Sequence, residues 1–276
     1  MYTINCSGRL IDLSIPRVMG IVNATPDSFY DGGKLKSDLD LLNQVSKMLT
    51  DGATFIDIGG YSSRPDGKDI SIEEELNRVI PVVDLLVREF KNLNLSLDSF
   101  RASVIDHAIQ HGVNMVNDIS AGLLDQNVIN TVARHQVPYI MMHMRGTPQT
   151  MKSMTDYSHL ITDINLYFSE RIATARAAGI NDVIIDPGYG FAKTIDQNFH
   201  LLKNQKILNA HEVPVLSGIS RKSMIYKTLE SSASQALNGT SALHMICLQQ
   251  GASILRVHDV KEANEVIQLY HMLETN

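Results

Sequence analysis

A (β/α)8 TIM barrel is the fold class this sequence predicts, as a single domain over residues 1–276, and three observations predict it. Short, near-continuous apolar runs recur along the chain, the pattern of parallel strands covered on both faces. Stretches of helical character lie between them, and the length suits eight such strand–helix units. Most of the runs stop at a polar residue, as expected where the C-terminal ends of strands carry the chemistry. A doubly wound open sheet is the runner-up.

In chain order the strand candidates are VMGIVN (18–23), FIDIGG (55–60), LSLDS (95–99), MVNDIS (115–120), YIMMHM (139–144), VIIDPG (183–188), VPVLSGIS (213–220) and ILRVHD (254–259). The segment 71–90 opens with Ser71 and Glu74, a capping box, and Pro81 inside it predicts a kink or break. ASVIDHAIQHG ends on Gly112, a residue suited to the position after a helix. Asp259 and Glu262 are spaced to start the last helix in the same way as Ser71 and Glu74.

Apolar residues make up 44% of the chain and charged residues 20%, a globular balance with ample material for a core. The net charge of −6 argues against nucleic acid as a partner, while leaving room for a local basic site. Cys6 and Cys247 stand far apart without metal-ligand spacing and read as reduced, small apolar residues. The N-terminus lacks a signal-peptide pattern and no apolar run is long enough to span a bilayer, so a soluble, cytoplasmic protein is expected.

The polar strand ends supply the candidate site. Asn23, Asp98, Asn117, His143, Asp186, Ser220, Arg256 and His258 form the expected ring at the barrel mouth. Asp98, Asn117 and Asp186 suit a flat heterocycle rich in N–H groups, since each Asp accepts and Asn both accepts and donates. Arg64, Arg221, Lys222, Arg256 and His258 come from three loops and would build an anion site on an acidic protein. His258 is equally well read as a core histidine, and Asp57 and Asp118 are read as structural.

With those residues in place, MGIVNATPDSFYDGG, GGYSSRPDG, LSLDS, VNDIS, MHM, IDPGYGFAK, GISRKSMI and RVHDVKE, taken in this order, resemble the motifs of bacterial dihydropteroate synthases over nearly the whole chain. The resemblance implies a homodimeric barrel that joins p-aminobenzoate to 6-hydroxymethyl-7,8-dihydropterin diphosphate, with Mg²⁺, in folate synthesis. It assigns the pterin to Asp98, Asn117, Met142, Asp186 and Lys222. Diphosphate falls to Asn23, Arg256 and His258, with Mg²⁺ at Asn23. The aminobenzoate falls to Ser63, Arg64, Pro65, Phe191, Lys222 and Ser220, and sulfonamides are the inhibitors implied. Asp98, Lys222, Asp186 and Arg64 are the catalytic residues expected on this basis. The segment NATPDSFYDGG (23–33) is expected to act as a mobile lid over the bound intermediate.

The chain departs from the commoner family pattern at Tyr61, Ser63, Asp66 and Ala192; Ser63 is a small change, and Asp66 adds negative charge near the acid substrate, which bears on aminobenzoate affinity rather than on reaction class. A methyltetrahydrofolate-binding methyltransferase is the rival enzyme, and it has no use for the basic SRKS and RVHD segments. A non-catalytic pterin-binding relative is the rival outside enzymology; both loop motifs and Lys222 argue against it.

Overall fold

A computed structural model of the chain describes residues 2–24, 30–31, 34–35, 38–63 and 67–276. Strands β1 (Thr3–Cys6) and β2 (Arg9–Asp12) form an antiparallel hairpin ahead of the main sheet. The sheet is a closed barrel of eight strands: β3 (Arg17–Asn23), β6 (Ala53–Gly59), β7 (Leu95–Asp98), β8 (Met115–Asp118), β9 (Tyr139–Met142), β10 (Val183–Asp186), β11 (Val215–Ser217) and β12 (Ala252–Val257). Neighbours pair in parallel all the way round, and β12 closes on β3. All eight strand candidates are strands, so the barrel reading holds over the open sheet. Two-residue strands β4 (Tyr30–Asp31) and β5 (Lys34–Leu35) pair antiparallel; within the expected lid, Thr25–Phe29 and Gly32–Gly33 lie outside the described residues.

Side chains alternate across each strand, so every second residue enters the barrel. Met19, Phe55, Met115, Ile140, Ile184, Leu216 and Ile254 make one inner apolar cluster, joined by Ile4, Cys6 and Leu13 of the hairpin region. The hairpin thus plugs the N-terminal end of the barrel with apolar surface. Both cysteines are free and buried, as expected, and burial pushes each thiol up to about 12. The opposite strand faces pack against the helices in a second, larger apolar cluster.

The helices return the chain between strands: α1 (Asp38–Thr50), α2 (Ile72–Glu89), α3 (Ala102–Gln110), α4 (Asn127–His135), α5 (Leu160–Ala177), α6 (Ile195–Asn204), α7 (Ser223–Thr228), α8 (Leu237–Gln249) and α9 (Val260–Thr275). Ser71 caps α2 by accepting from the Glu74 backbone N–H at 3.1 Å. The break expected at Pro81 does not occur: α2 runs through it. Pro81 lies on the exposed side of the helix, where the carbonyl that loses its partner can meet water. Gly112 follows α3 at φ 111°, as its position predicted. Asp259 does not cap α9 through its side chain, because its carboxylate is committed to Arg221. No helix among the described residues is long and apolar enough to cross a membrane.

Phe55 is fully buried at the centre of the inner cluster. Phe55→Ala is expected to lower unfolding stability by about 3–5 kcal/mol, the range for a large aromatic deletion that leaves a cavity, as read by urea denaturation.

Candidate active site

The parity that fills the barrel also builds the site. Two residues beyond Phe55, Met115, Ile140, Ile184 and Ile254 on the same strand faces stand Asp57, Asn117, Met142, Asp186 and Arg256. Asp98 ends β7 two residues after the fully buried Ser96. Register completes the ring, since Asn23 pairs with Gly59, Gly59 with Asp98 and Asp98 with Asn117, while Met142 pairs with Asp186. The apolar filling of the barrel therefore gives way to a polar layer at the C-terminal mouth.

One guanidinium ties this layer together. Arg256 donates from Nε to Asp57 Oδ2 at 2.7 Å and from Nη2 to Asp98 Oδ2 at 2.7 Å. Asn117 donates from Nδ2 to the same Asp57 oxygen at 2.9 Å. Asp57 is fully buried and touches two of the predicted site residues, so whatever structural role it has is exercised inside the site. Parity with Phe55 was the signal that could have placed it in the site. Asp118 fits the structural reading, with its carboxylate accepting from Ser120, Gly122 and the Tyr139 hydroxyl.

Burial dominates the electrostatics. It pushes Asp98 up to about 7 against the pull of Arg256, with Asp57, Glu75 and Asp118 adding to the rise. Asp186 is also raised by burial, opposed by Lys222, the Gly188 N–H that bonds it and Arg256. Burial brings Lys222 down to about 8, against the attraction of Asp186 and Asp98. Arg256 stays protonated between its carboxylates. The mouth thus holds acids and bases whose charge states depend on one another.

Beside this layer, Lys222 Nζ lies 4.5 Å from the centre of the Phe191 ring and donates to the Tyr189 carbonyl. Phe191 packs with Met142, Met144, Ile119 and Ala192 in an apolar patch that could wall a flat ring. Ser220 is buried beside His258: its Oγ accepts from the His258 N–H at 3.2 Å and sits 3.1 Å from Nδ1. His258 is exposed, which removes the core-histidine alternative. Ser63 is half-buried after β6, while Arg64, Pro65 and Asp66 lie outside the described residues. Arg221 does not join the anion rim; its guanidinium grips Asp259 through Nε at 2.7 Å and Nη2 at 2.8 Å, fastening the loop after β11 to the loop after β12. Tyr61 bridges to Gln149 through its hydroxyl at 2.8 Å.

His143 leaves the predicted ring as well. It is buried against Tyr167, and burial holds it well below its usual value. Its Nδ1 lies 3.0 Å from Lys193 Nζ, and Lys193 also donates to the Gly188 and Phe191 carbonyls at 3.0 Å each. Lys193 is the residue the motif reading passed over. Gly188 has φ 69° and Ala192 φ 49°, so the chain doubles back there and needs a donor for the carbonyls it turns inward. Gly188 is required on a second ground, because a Cβ there would meet the His143 carbonyl oxygen at 2.1 Å. Ala192 occupies a left-handed conformation, one that glycine adopts at lower cost.

Burial lowers Lys193 to about 7. Its folded value therefore lies below the ordinary lysine value, so the unfolded chain binds the extra proton between the two and stability rises with pH over that interval. Relative to Lys193→Met, the wild type is expected to gain up to about 1.4 kcal/mol per pH unit from pH ~7 to ~10, measured by urea denaturation across pH.

Comparison with known proteins accords with this geometry. A family described as "Pterin binding enzyme" matches residues 19–258. Dihydropteroate synthase of Escherichia coli K12 is 40% identical over 264 residues, spanning 95% of this chain and 93% of that protein. The Haemophilus influenzae dihydropteroate synthase is 40% identical over 266 residues, with 96% of each chain covered. A Yersinia pestis dihydropteroate synthase solved with a sulfonamide drug superposes with a TM-score of 0.93 at 40% identity over 100% of both chains. A Xanthomonas albilineans dihydropteroate synthase with 4-aminobenzoic acid gives 0.92 at 37% identity, covering 99% of this chain and 98% of that one. The chain belongs to the pterin-binding enzymes, within the dihydropteroate synthase family.

Proposed function

We propose that this transferase condenses 6-hydroxymethyl-7,8-dihydropterin diphosphate with p-aminobenzoate, releasing 7,8-dihydropteroate and diphosphate in folate biosynthesis. The observation that carries the reading is the meeting of Asp98, Asn117, Asp186 and Lys222 with Arg256 at one barrel mouth, an acceptor-rich pocket beside a buried cation. The 4-aminobenzoic acid and the sulfonamide in the similar structures support aminobenzoate as the second substrate and sulfonamides as inhibitors.

The chemistry follows from charge. Asp98 and Asp186 accept from the N–H edge of the pterin, and Asn117 sits within the same layer. Arg256, with His258 beside Ser220, faces the diphosphate and stabilises the charge that develops as it leaves. The electron-rich dihydropterin expels diphosphate and spreads the positive charge over its ring, where Asp98 and Asp186 favour it in a site shielded from water. The arylamine then attacks the exocyclic carbon. It is already largely neutral near pH 7, so it requires placement against Phe191, Lys222 and the Ser63–Pro65 loop rather than a strong base. No covalent nucleophile on the protein is needed.

Asn23, exposed at the end of β3, offers one carboxamide oxygen, and among the described residues no three metal-binding side chains cluster. Such a single neutral donor suits Mg²⁺ where substrate phosphates and water supply the rest of its shell. Bound there, the ion would neutralise the leaving diphosphate. A homodimer, implied by the resemblance, belongs to the same proposal.

Diphosphate release and dihydropteroate formation are expected to appear together when both substrates and Mg²⁺ are supplied, and to stop with EDTA. Tight pterin binding without condensation overturns the reading. With Asp98 at about 7 and needed as the carboxylate, kcat/KM is expected to fall as pH drops through that value. Asp98→Asn is expected to lower kcat/KM by about 10²-fold or more, the scale lost when one electrostatic partner of a transition state is removed.

A further inference from the structure

We propose that Asp57 is a positioning residue that couples the heterocycle pocket to the anion rim, one carboxylate oxygen orienting both Asn117 and Arg256. The proposal rests on the functional reading above and deepens it. Asp57 Oδ2 accepts from Asn117 Nδ2 at 2.9 Å and from Arg256 Nε at 2.7 Å. The first bond fixes the carboxamide with its nitrogen toward β6, so Oδ1 is the group presented as an acceptor for a ring N–H. The second, with the Arg256 Nη2 bond to Asp98, holds the guanidinium at two points and sets the direction of its other N–H donors.

These two side chains come from β8 and β12, which are not neighbours in the barrel, and Asp57 on β6 is the group that both of them reach. The carboxylate is fully buried, and its Oδ1 has no hydrogen-bond partner among the described residues. A buried carboxylate bonded through one oxygen is a costly way to fill space. Its contribution lies in what it arranges: the pterin acceptor and the diphosphate cation share one anchor, so displacing either disturbs both.

The charged groups facing Asp98 are Arg256 from β12, Asp57 from β6, Glu75 from α2, Asp118 from β8 and Lys222 from the loop after β11. Removing the Asp57 charge relieves Asp98 of a like-charged neighbour and leaves it a larger share of Arg256. Both changes favour the Asp98 carboxylate, so they move the acid limb of kcat/KM to lower pH.

The test is steady-state kinetics of the full chain with dihydropterin diphosphate and p-aminobenzoate, comparing wild type, Asp57→Asn and Asp57→Glu. Asp57→Asn is expected to raise KM for dihydropterin diphosphate by about tenfold or more, the scale for loss of one charge-assisted bond, while KM for p-aminobenzoate stays within about twofold. The acid limb of its kcat/KM profile shifts to lower pH. Asp57→Glu keeps the charge but displaces the carboxylate by a methylene, so it raises the same KM and leaves the acid limb in place; it also serves if Asp57→Asn does not fold. A dihydropterin diphosphate KM unchanged in both variants overturns the proposal, as does an equal rise in both KM values with the acid limb unmoved. A wild type that binds but makes no dihydropteroate overturns the functional reading instead. Calorimetric binding of dihydropterin diphosphate to wild type and Asp57→Asn then decides the role of Asp57 alone, equal affinities counting against it.

Discussion

The site depends on the two-point hold of Arg256 on Asp57 and Asp98. A barrel mouth lined with carboxylates is unstable in isolation, since burial and mutual repulsion both press for protonation. The guanidinium answers part of that pressure from inside the layer. It cannot lose its proton, and its planar fork meets two carboxylates that arrive from different strands. Lys222 and Lys193 add charge from the loop side, and their lowered values show how far burial has eroded their preference for the ammonium form.

Holding the charges is the work of the barrel, and holding the loops is the work of residues next to the site. Arg221 fastens the loop after β11 to Asp259 beyond β12, holding the segment that carries Ser220 and Lys222 against the one that carries His258. Lys193 gathers the turned-in carbonyls of the loop after β10 and thereby supports Phe191 and the strand-end His143. The loop residues that border the mouth and those that brace the loop lie one or two positions apart in sequence. Arg221 and Lys222 are adjacent, yet one grips a carboxylate on the next loop and the other reaches the Phe191 ring.

The apolar plug and the polar mouth are two levels of the same strands. Phe55 and Asp57, Met115 and Asn117, Ile184 and Asp186, Ile254 and Arg256 are each separated by one outward residue. Stability and chemistry are thus kept apart by two residues of strand rise, and the inner cluster below the mouth is a rigid floor on which the charged layer is set.

The sequence by itself determined the barrel, because eight apolar runs separated by helical segments leave few other ways to bury both faces of each strand. It also determined that strand-end polar residues such as Asp98, Asn117, Asp186 and Arg256 would share one mouth, since parallel strands bring their C-terminal ends to the same side. Only the tertiary structure decided which partner each charge takes. Asp57 enters the site, Arg221 leaves it for Asp259, His143 turns under the loop beside Lys193, and α2 continues through Pro81. These outcomes depend on distances between residues far apart in the chain, set by barrel register and loop path. Local pattern specifies which face a side chain takes, whereas its partner across the barrel is fixed by how the strands are staggered.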